Sequence, residues 1–267
     1  MFTLSPARKV GSGQSYKGII MNCSLSDLVN YVVRASDGDI GMVQQFYFDD
    51  FTWIIRYMVM NTVEYRPGQQ VLISTVALNK PQWKARVFPV NLTRLQVQHS
   101  PNIDTAKPVS RQHEVELFKY YGWPVYWGSS PYAGVGYPVP THLPSIAKEK
   151  KKPDEKSDDD PHLRSTDHVT GYYVHATDGE IGHVHDYIVD DETWTIRYIV
   201  VNTRNWWPGK KVLVSPRWIK RVSWEKSELF ADLSRESIRN SPEYDHSKPV
   251  SPDYEGRLFG HYGRNNV

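Results

Sequence analysis

The chain has 267 residues, 39% of them hydrophobic and 23% charged, which is typical of a globular protein and enough for two ordinary domains. Its net charge of +2 lacks the basic excess that nucleic acid or an anionic membrane attracts. The single cysteine, Cys23, excludes an internal disulfide, and no apolar run is long enough for a signal peptide or a membrane span. We therefore expect a cytoplasmic protein with no direct membrane insertion and no nucleic-acid partner.

The first predicted elements are a hairpin and an interior strand. Asp37-Gly38 lies between two segments rich in β-forming residues, and Asp49-Asp50 is a polar break whose side chains suit a turn. The strand that begins at Trp53 is apolar on both faces apart from Arg56, which predicts a strand covered on both sides. Strict alternation places on one face Trp53, Ile55, Tyr57, Val59 and Asn61.

Later in the first half, the sequence predicts a distorted strand and two helices. Pro67-Gly68 marks a loop, and Asn79-Lys80-Pro81-Gln82 interrupts the strand expected before Trp83. Thr93 is placed to cap a short helix. A second helix is expected from Ser110 to Tyr120.

A change of composition follows. Tyr121–Pro144 is rich in glycine, proline and aromatic residues, and it is either a tail packed on the first domain or a segment that a partner recognises. Lys148–Pro161 has a basic run and then an acidic one, which predicts a solvated linker.

The chain then repeats itself. Ala35–Thr62 matches Ala176–Thr203 at an offset of 141 residues, and the same offset aligns Leu117-Phe118 with Leu258-Phe259. This gapless match indicates duplication, with each unit expected to close its own core. The predicted organisation is a tail at 1–20, a domain at 21–123, a linker at 124–163 and a second domain at 164–267.

The second unit repeats the predicted elements of the first. Asp178-Gly179 predicts a hairpin, and Trp194 begins the second interior strand. Ser234 is placed to cap a short helix, and Ser251-Pro252 to begin a longer one through Leu258.

These motifs together resemble a known family. The order DGxIG, TWxIRYxVxNT, a Pro-Gly loop, VLxSP and SPxYD is similar to the PRC-barrel domain, the β-barrel of the photosynthetic reaction centre H subunit. The resemblance covers Cys23–Asp104 and Arg164–Asp245. It is complete over VLVSPRWIKRVSW in the second unit, whereas Thr75 follows Ser74 in the first. It implies a mainly β protein of two tandem small barrels, each with a short helix and a following C-terminal helix.

The resemblance also implies a role in protein assembly without catalytic residues. The tandem form is most similar to soluble bacterial proteins, and the chain lacks a segment like the membrane helix that precedes the H-subunit barrel. A non-enzymatic binding or scaffold protein is the first hypothesis, with the two barrels paired about a pseudo-two-fold axis or the chain forming a homodimer. One alternative is a ribosome- or RNA-associated adaptor like a ribosome-maturation factor; another is a small-ligand sensor or a hydrolase.

Six residues are candidates for structural or interface roles. Arg56 and Arg197 lie mid-strand among apolar neighbours, and a buried arginine needs a carboxylate. The acidic residues of the preceding turns, Asp49 or Asp50 and Asp190 or Asp191, are the expected partners; an anion or partner contact is the alternative. The other four candidates are Trp53, Tyr57, Trp194 and Tyr198.

No residue pattern predicts catalysis, a cofactor or a metal. His183 and His185 are two apart and would share a strand face, but a metal site needs at least one further ligand, so a half-exposed polar face is the simpler interpretation. Cys23 has no histidine placed to activate it and is expected to be inert. Phosphate-loop, dinucleotide, CxxC and HExxH motifs are absent from the sequence.

Overall fold

The computed structural model describes residues 22–62, 70–101, 109, 111–124, 126, 162–203 and 209–263. We call residues 22–126 the first half and residues 162–263 the second half. Several sequence predictions fall outside the described residues: the tail at 1–20, the linker Lys148–Pro161, most of Tyr121–Pro144, Ser110, Pro67-Gly68 and Pro208.

The first half contains six strands and three helices in its described part. In chain order these are β1 (Asn22–Ser24), α1 (Leu25–Leu28), β2 (Val32–Ala35), β3 (Gly38–Asp49), β4 (Ile55–Thr62), β5 (Gln70–Ser74), β6 (Val87–Pro89), α2 (Arg94–Gln98) and α3 (Arg111–Tyr121).

The second half follows the same order with one additional strand. Its elements are β7 (Leu163–Ser165), α4 (Thr166–Val169), β8 (Tyr173–Ala176), β9 (Gly179–Asp190), β10 (Ile196–Asn202), β11 (Lys211–Val214), β12 (Ile219–Ser223), β13 (Glu228–Ala231), α5 (Arg235–Asn240) and α6 (Pro252–Tyr262).

The protein is mainly β, with two sheets. The first has the order β5-β4-β3-β2-β6 and the second the order β11-β10-β9-β8-β13-β12. The pairs β2–β6 and β8–β13 are parallel, and the other pairs within these orders are antiparallel. The strands β4 and β10 each lie between two neighbours, which confirms their prediction as interior strands. Within the described ranges neither sheet closes into a barrel.

The predicted turns and helix caps are present. Asp49 and Asp190 each accept backbone hydrogen bonds from the two residues that follow at i+2 and i+3. The side chains of Thr93, Ser234 and Ser251 cap α2, α5 and α6 by accepting from a backbone N–H of the first turn. Local chemistry therefore places these boundaries where the sequence predicts them.

The distorted strand is also confirmed. Where the second half has β12, the first half has only the isolated bridges Leu78–Val90 and Gln82–Val87. Pro81 lies in this interval and has no N–H to donate to a ladder. The residues around Pro81 therefore form a loop where the second half has β12.

Two bulges correct the predicted faces of the interior strands. On β4 the register shifts between Ile55 and Tyr57 against β3, so Arg56 is an extra residue; Arg197 is the counterpart on β10. Alternation is therefore broken there, and Ile55 packs in a different hydrophobic cluster from Tyr57. Each strand also begins two residues after its tryptophan rather than at it.

The main hydrophobic cluster contains residues from both halves, which corrects the expectation of separate cores. A smaller cluster lies between β3, β4, β5 and α3 of the first half and includes Leu163 of β7. None of the helices in the described ranges combines the length and the apolar character needed to cross a membrane.

Candidate functional site

The two halves meet where β4 and β10 begin. The Ile55 N–H donates to the Trp194 carbonyl and the Ile196 N–H donates to the Trp53 carbonyl, both at 2.8 Å. Trp53 and Trp194 both have φ of 57°, a left-handed conformation that is uncommon for a bulky side chain. Because such strain persists only where its surroundings impose it, the reciprocal bonds mark a strongly determined junction.

Each half also lends its first strand to the other half's sheet. β1 pairs with β9 of the second half, with Cys23 opposite Val189, while β7 pairs with β3 of the first half, with Arg164 opposite Phe48. The exchange is reciprocal, so separating the halves would break backbone pairing in both sheets. We call these contacts, with the tryptophan bonds, the junction.

A buried carboxylate holds one of the exchanged strands. Asp186, on β9, accepts hydrogen bonds from the Ser24 hydroxyl at 2.5 Å and from the Ser26 hydroxyl and N–H at 2.8 and 3.1 Å. It also accepts from the Tyr187 N–H at 2.7 Å. The corresponding position on β3 is Gln45, which accepts from the Ser165 hydroxyl. The same contact is thus charged on one side of the junction and neutral on the other.

Aromatic rings fill the junction. The Trp194 ring stacks on Phe46 and Phe88 of the first half, with ring centroids 6.2 and 5.9 Å away. Phe48 contacts Trp53 at 5.1 Å and Tyr187 of the second half at 6.2 Å. Stacked rings bury large apolar areas, so they stabilise the contact between the halves.

The two exchanged strands, β1 and β7, carry different residues at corresponding positions. Arg164 donates to Asp50 at 2.9 Å and lies 4.3 Å above the Trp224 ring. Burial raises the pKa of the Asp50 carboxyl, against the opposing effect of Arg164. At the position corresponding to Arg164 the first half has Cys23, whose thiol pKa is raised by burial and next by the charge of Asp191. The thiol is therefore held in its neutral form, as expected of an inert residue.

The outer faces of the interior strands are covered by helices of the same half. Tyr57 donates to Glu114 of α3 at 2.9 Å, and Tyr198 donates to Glu255 of α6 at 2.8 Å. The pairing of the two units expected from the sequence therefore does not use these faces, because α3 and α6 occupy them, while the halves meet at the strand ends.

The predicted partner is confirmed for Arg56 and wrong for Arg197. Arg56 forms an ion pair with the turn residue Asp49 at 4.0 Å. Arg197 pairs with Glu255 at 2.9 Å rather than with the turn acids Asp190 or Asp191. Both arginines lie at a bulge that interrupts the regular alternation of the strand.

In the first half a polar cluster surrounds Glu114, which is fully buried. Besides Tyr57, it accepts from the Tyr126 hydroxyl at 2.6 Å, and His162 Nε2 lies 2.9 Å from its second oxygen. The Arg56 guanidinium lies 4.0 Å from the centre of the Tyr126 ring. Tyr126 thus joins an arginine and a glutamate with one side chain, so the start of the predicted linker packs on the first half.

His183 and His185 do not belong to a metal-ligating cluster among the described residues. No group of three or more His, Cys, Asp or Glu side chains there could hold a metal ion. His183 is half-buried and His185 exposed on β9, with a register shift between Val184 and Asp186 that breaks their common face.

Comparison with known proteins gives no family or relative. No protein-family model matches the chain. No curated protein matches its sequence significantly.

The structure places the tyrosine candidates Tyr57 and Tyr198 in hydrogen bonds to a glutamate, and the tryptophan candidates Trp53 and Trp194 in the backbone bonds of the junction. The acidic residues Glu114, Glu255 and Asp186 were not predicted. The first two also stand at the 141-residue offset, 57 residues beyond their tyrosines, and this shared spacing was the available signal.

Proposed function

We propose that this chain is a tandem PRC-barrel-like protein that acts as a non-catalytic, protein-binding scaffold in the cytoplasm. The family resemblance of the sequence motivates the assembly role. The observation that carries the proposal is the junction, with its reciprocal strand exchange. A scaffold has to present its surfaces at a fixed spacing, and backbone pairing in both directions supplies that rigidity.

Exposed apolar side chains support a role in protein binding. Leu95 of α2 is 62% exposed and Tyr173 of β8 is 52% exposed. Tyr120 of α3 is 40% exposed and donates to the Gln96 carbonyl at 2.8 Å, which places it beside the helix of Leu95. Leu95 and Tyr120 together offer a partner an apolar contact that single scattered residues would not.

The test is cross-linking of the intact tagged chain in its native cells, followed by mass spectrometry of the captured proteins and of the linked positions. We expect a protein partner in a constant ratio to the chain, insensitive to ribonuclease. Leu95→Ser should reduce its recovery, whereas Glu116→Ser, an exposed polar change on α3, should not.

Recovery of RNA that falls steeply with salt would instead favour the adaptor related to ribosome maturation. Turnover of a small molecule by the purified chain would overturn the non-catalytic role.

A further inference from the structure

Each half has an arginine and a tyrosine on its interior strand, close to the glutamate of α3 or α6. Among the described residues, only the first half has a further tyrosine that contacts both the arginine and the glutamate. Arg56 and Glu114 correspond to Arg197 and Glu255 at the 141-residue offset. In the first half Tyr126 lies 4.0 Å over Arg56 and bonds Glu114 at 2.6 Å.

At the positions that correspond to Tyr126 and His162, the sequence has Val267 and Met21. Neither side chain can donate a hydrogen bond to a carboxylate or place a ring on a guanidinium. At the 141-residue offset, the positions of Tyr126 and His162 therefore carry no hydrogen-bond donor and no aromatic ring in the second half.

The exposure of the two arginines reflects this difference. The Arg56 side chain is 8% exposed and that of Arg197 is 25% exposed. Arg197 reaches Glu255 directly at 2.9 Å, and the Glu255 side chain retains 11% exposure where Glu114 has none. A guanidinium and a carboxylate thus lie side by side and partly open to solvent.

In both halves a tryptophan ring packs on two aromatic side chains of the helix that carries the glutamate. In the first half, the Trp123 ring packs on Phe118 and Tyr121 at 6.2 and 4.1 Å. In the second half Trp218 makes the matching contacts with Phe259 and Tyr262 at 5.8 and 4.7 Å.

Trp218 stands where the first half has Ala77, and it supplies from the 3-10 helix Pro216–Trp218 the ring that Trp123 supplies after α3. The second half therefore differs at the positions of Tyr126 and His162, next to Arg197 and Glu255.

We propose that Arg197 and Glu255 form a socket for the side chain of an unphosphorylated tyrosine on a partner protein. The ring stacks on the guanidinium and the hydroxyl donates to the carboxylate, as Tyr126 does in the first half. Glu255 repels a phosphate or a carboxylate, and Arg197 repels a lysine or an arginine, so the occupant is an uncharged ring that carries a hydrogen-bond donor. The contacts of Tyr126 with Arg56 and Glu114 in the first half identify that ring as tyrosine. This inference rests on the proposed function, because it names the chemistry of the partner.

The probe is the peptide GWPVYWG, residues 122–128 of this chain, titrated calorimetrically into the intact protein. We expect saturable binding, weakened about tenfold or more when the peptide tyrosine is changed to phenylalanine, since a hydrogen bond to a charged group is lost. Arg197→Gln should abolish binding. Arg221→Gln should not, although Arg221 also lies over a ring, that of Phe230 at 3.8 Å.

Absence of binding by the wild-type chain up to ~1 mM peptide, or binding indifferent to Arg197→Gln, overturns the socket.

The cross-linking experiment separates this outcome from the larger proposal. A protein partner that is captured by the wild-type and Arg197→Gln chains with the same linked positions near α6 ends the socket and leaves the scaffold standing. Peptide binding without any cellular protein partner ends the scaffold, and the socket is then a tyrosine-binding site without a partner protein.

Discussion

Replacing Asp186 by alanine should weaken the junction more than any neutral change on its other side. The carboxylate accepts four hydrogen bonds, from two serine hydroxyls and two backbone N–H groups. Ser26 is exposed and can turn to water, but the Ser24 hydroxyl and the Tyr187 N–H are in buried surroundings. Both donors lose their charged acceptor, and only the Ser24 hydroxyl has a neutral replacement, the Ser26 hydroxyl 2.9 Å away.

Hydrogen bonds to charged groups contribute about 1.5–3 kcal/mol each, so the two buried donors predict a loss of about 3 kcal/mol in the free energy of unfolding. For a chain of this size that corresponds to a fall of roughly 6–12 °C in melting temperature. Asp186→Asn keeps one acceptor oxygen and should lose about half as much.

Gln45→Ala is the matched control because Gln45 holds the other exchanged strand through a neutral hydrogen bond to Ser165. It should cost only about 1 kcal/mol. The measurement is equilibrium urea unfolding, followed by both fluorescence and circular dichroism to check that the transition is two-state. Equal losses for Asp186→Ala and Gln45→Ala would refute the argument that the buried charge carries the contact.

Further outcomes follow from the structure. The second half expressed alone, residues 162–267, should form a dimer in sedimentation experiments because β7 needs a β9 to pair with; a well-behaved monomer would contradict the exchange. Cys23 should resist iodoacetamide in the folded protein and react in urea, and because burial raises its thiol pKa, unfolding free energy should fall as pH rises above about 9 in wild type more than in Cys23→Ala. Gly182→Ala should cost at least about 3 kcal/mol or prevent folding, since its Cβ would lie 2.1 Å from the Asn202 carbonyl oxygen. Gly256→Ala, with open space around it on α6, should instead add up to about 1 kcal/mol in the same melts.

The sequence predicted what depends on local chemistry. The turns at Asp49 and Asp190, the caps at Thr93 and Ser234, and the break at Pro81 follow from side-chain donors and from the missing N–H of proline. Each of these is decided within a few residues, so no knowledge of the tertiary structure was needed.

The features that the sequence did not predict depend on long-range pairing. β1 and β7 are three residues each, too short for a periodic pattern to name their partner sheet. The bulges at Arg56 and Arg197 reverse the face of the residues beyond them, which strict alternation cannot anticipate. Arg197 therefore pairs with Glu255 of α6 instead of the nearby turn residues Asp190 and Asp191.

The strand exchange also bears on how such a chain originates. A single unit that lends its first strand can satisfy both sheets only by pairing with an identical molecule, so an unfused ancestor would be a symmetric homodimer. If two such units were fused into one chain, the symmetry would no longer bind them and each unit could change independently. Gln45 at the position that corresponds to Asp186, and Cys23 at the position that corresponds to Arg164, are differences of the kind such a fusion permits.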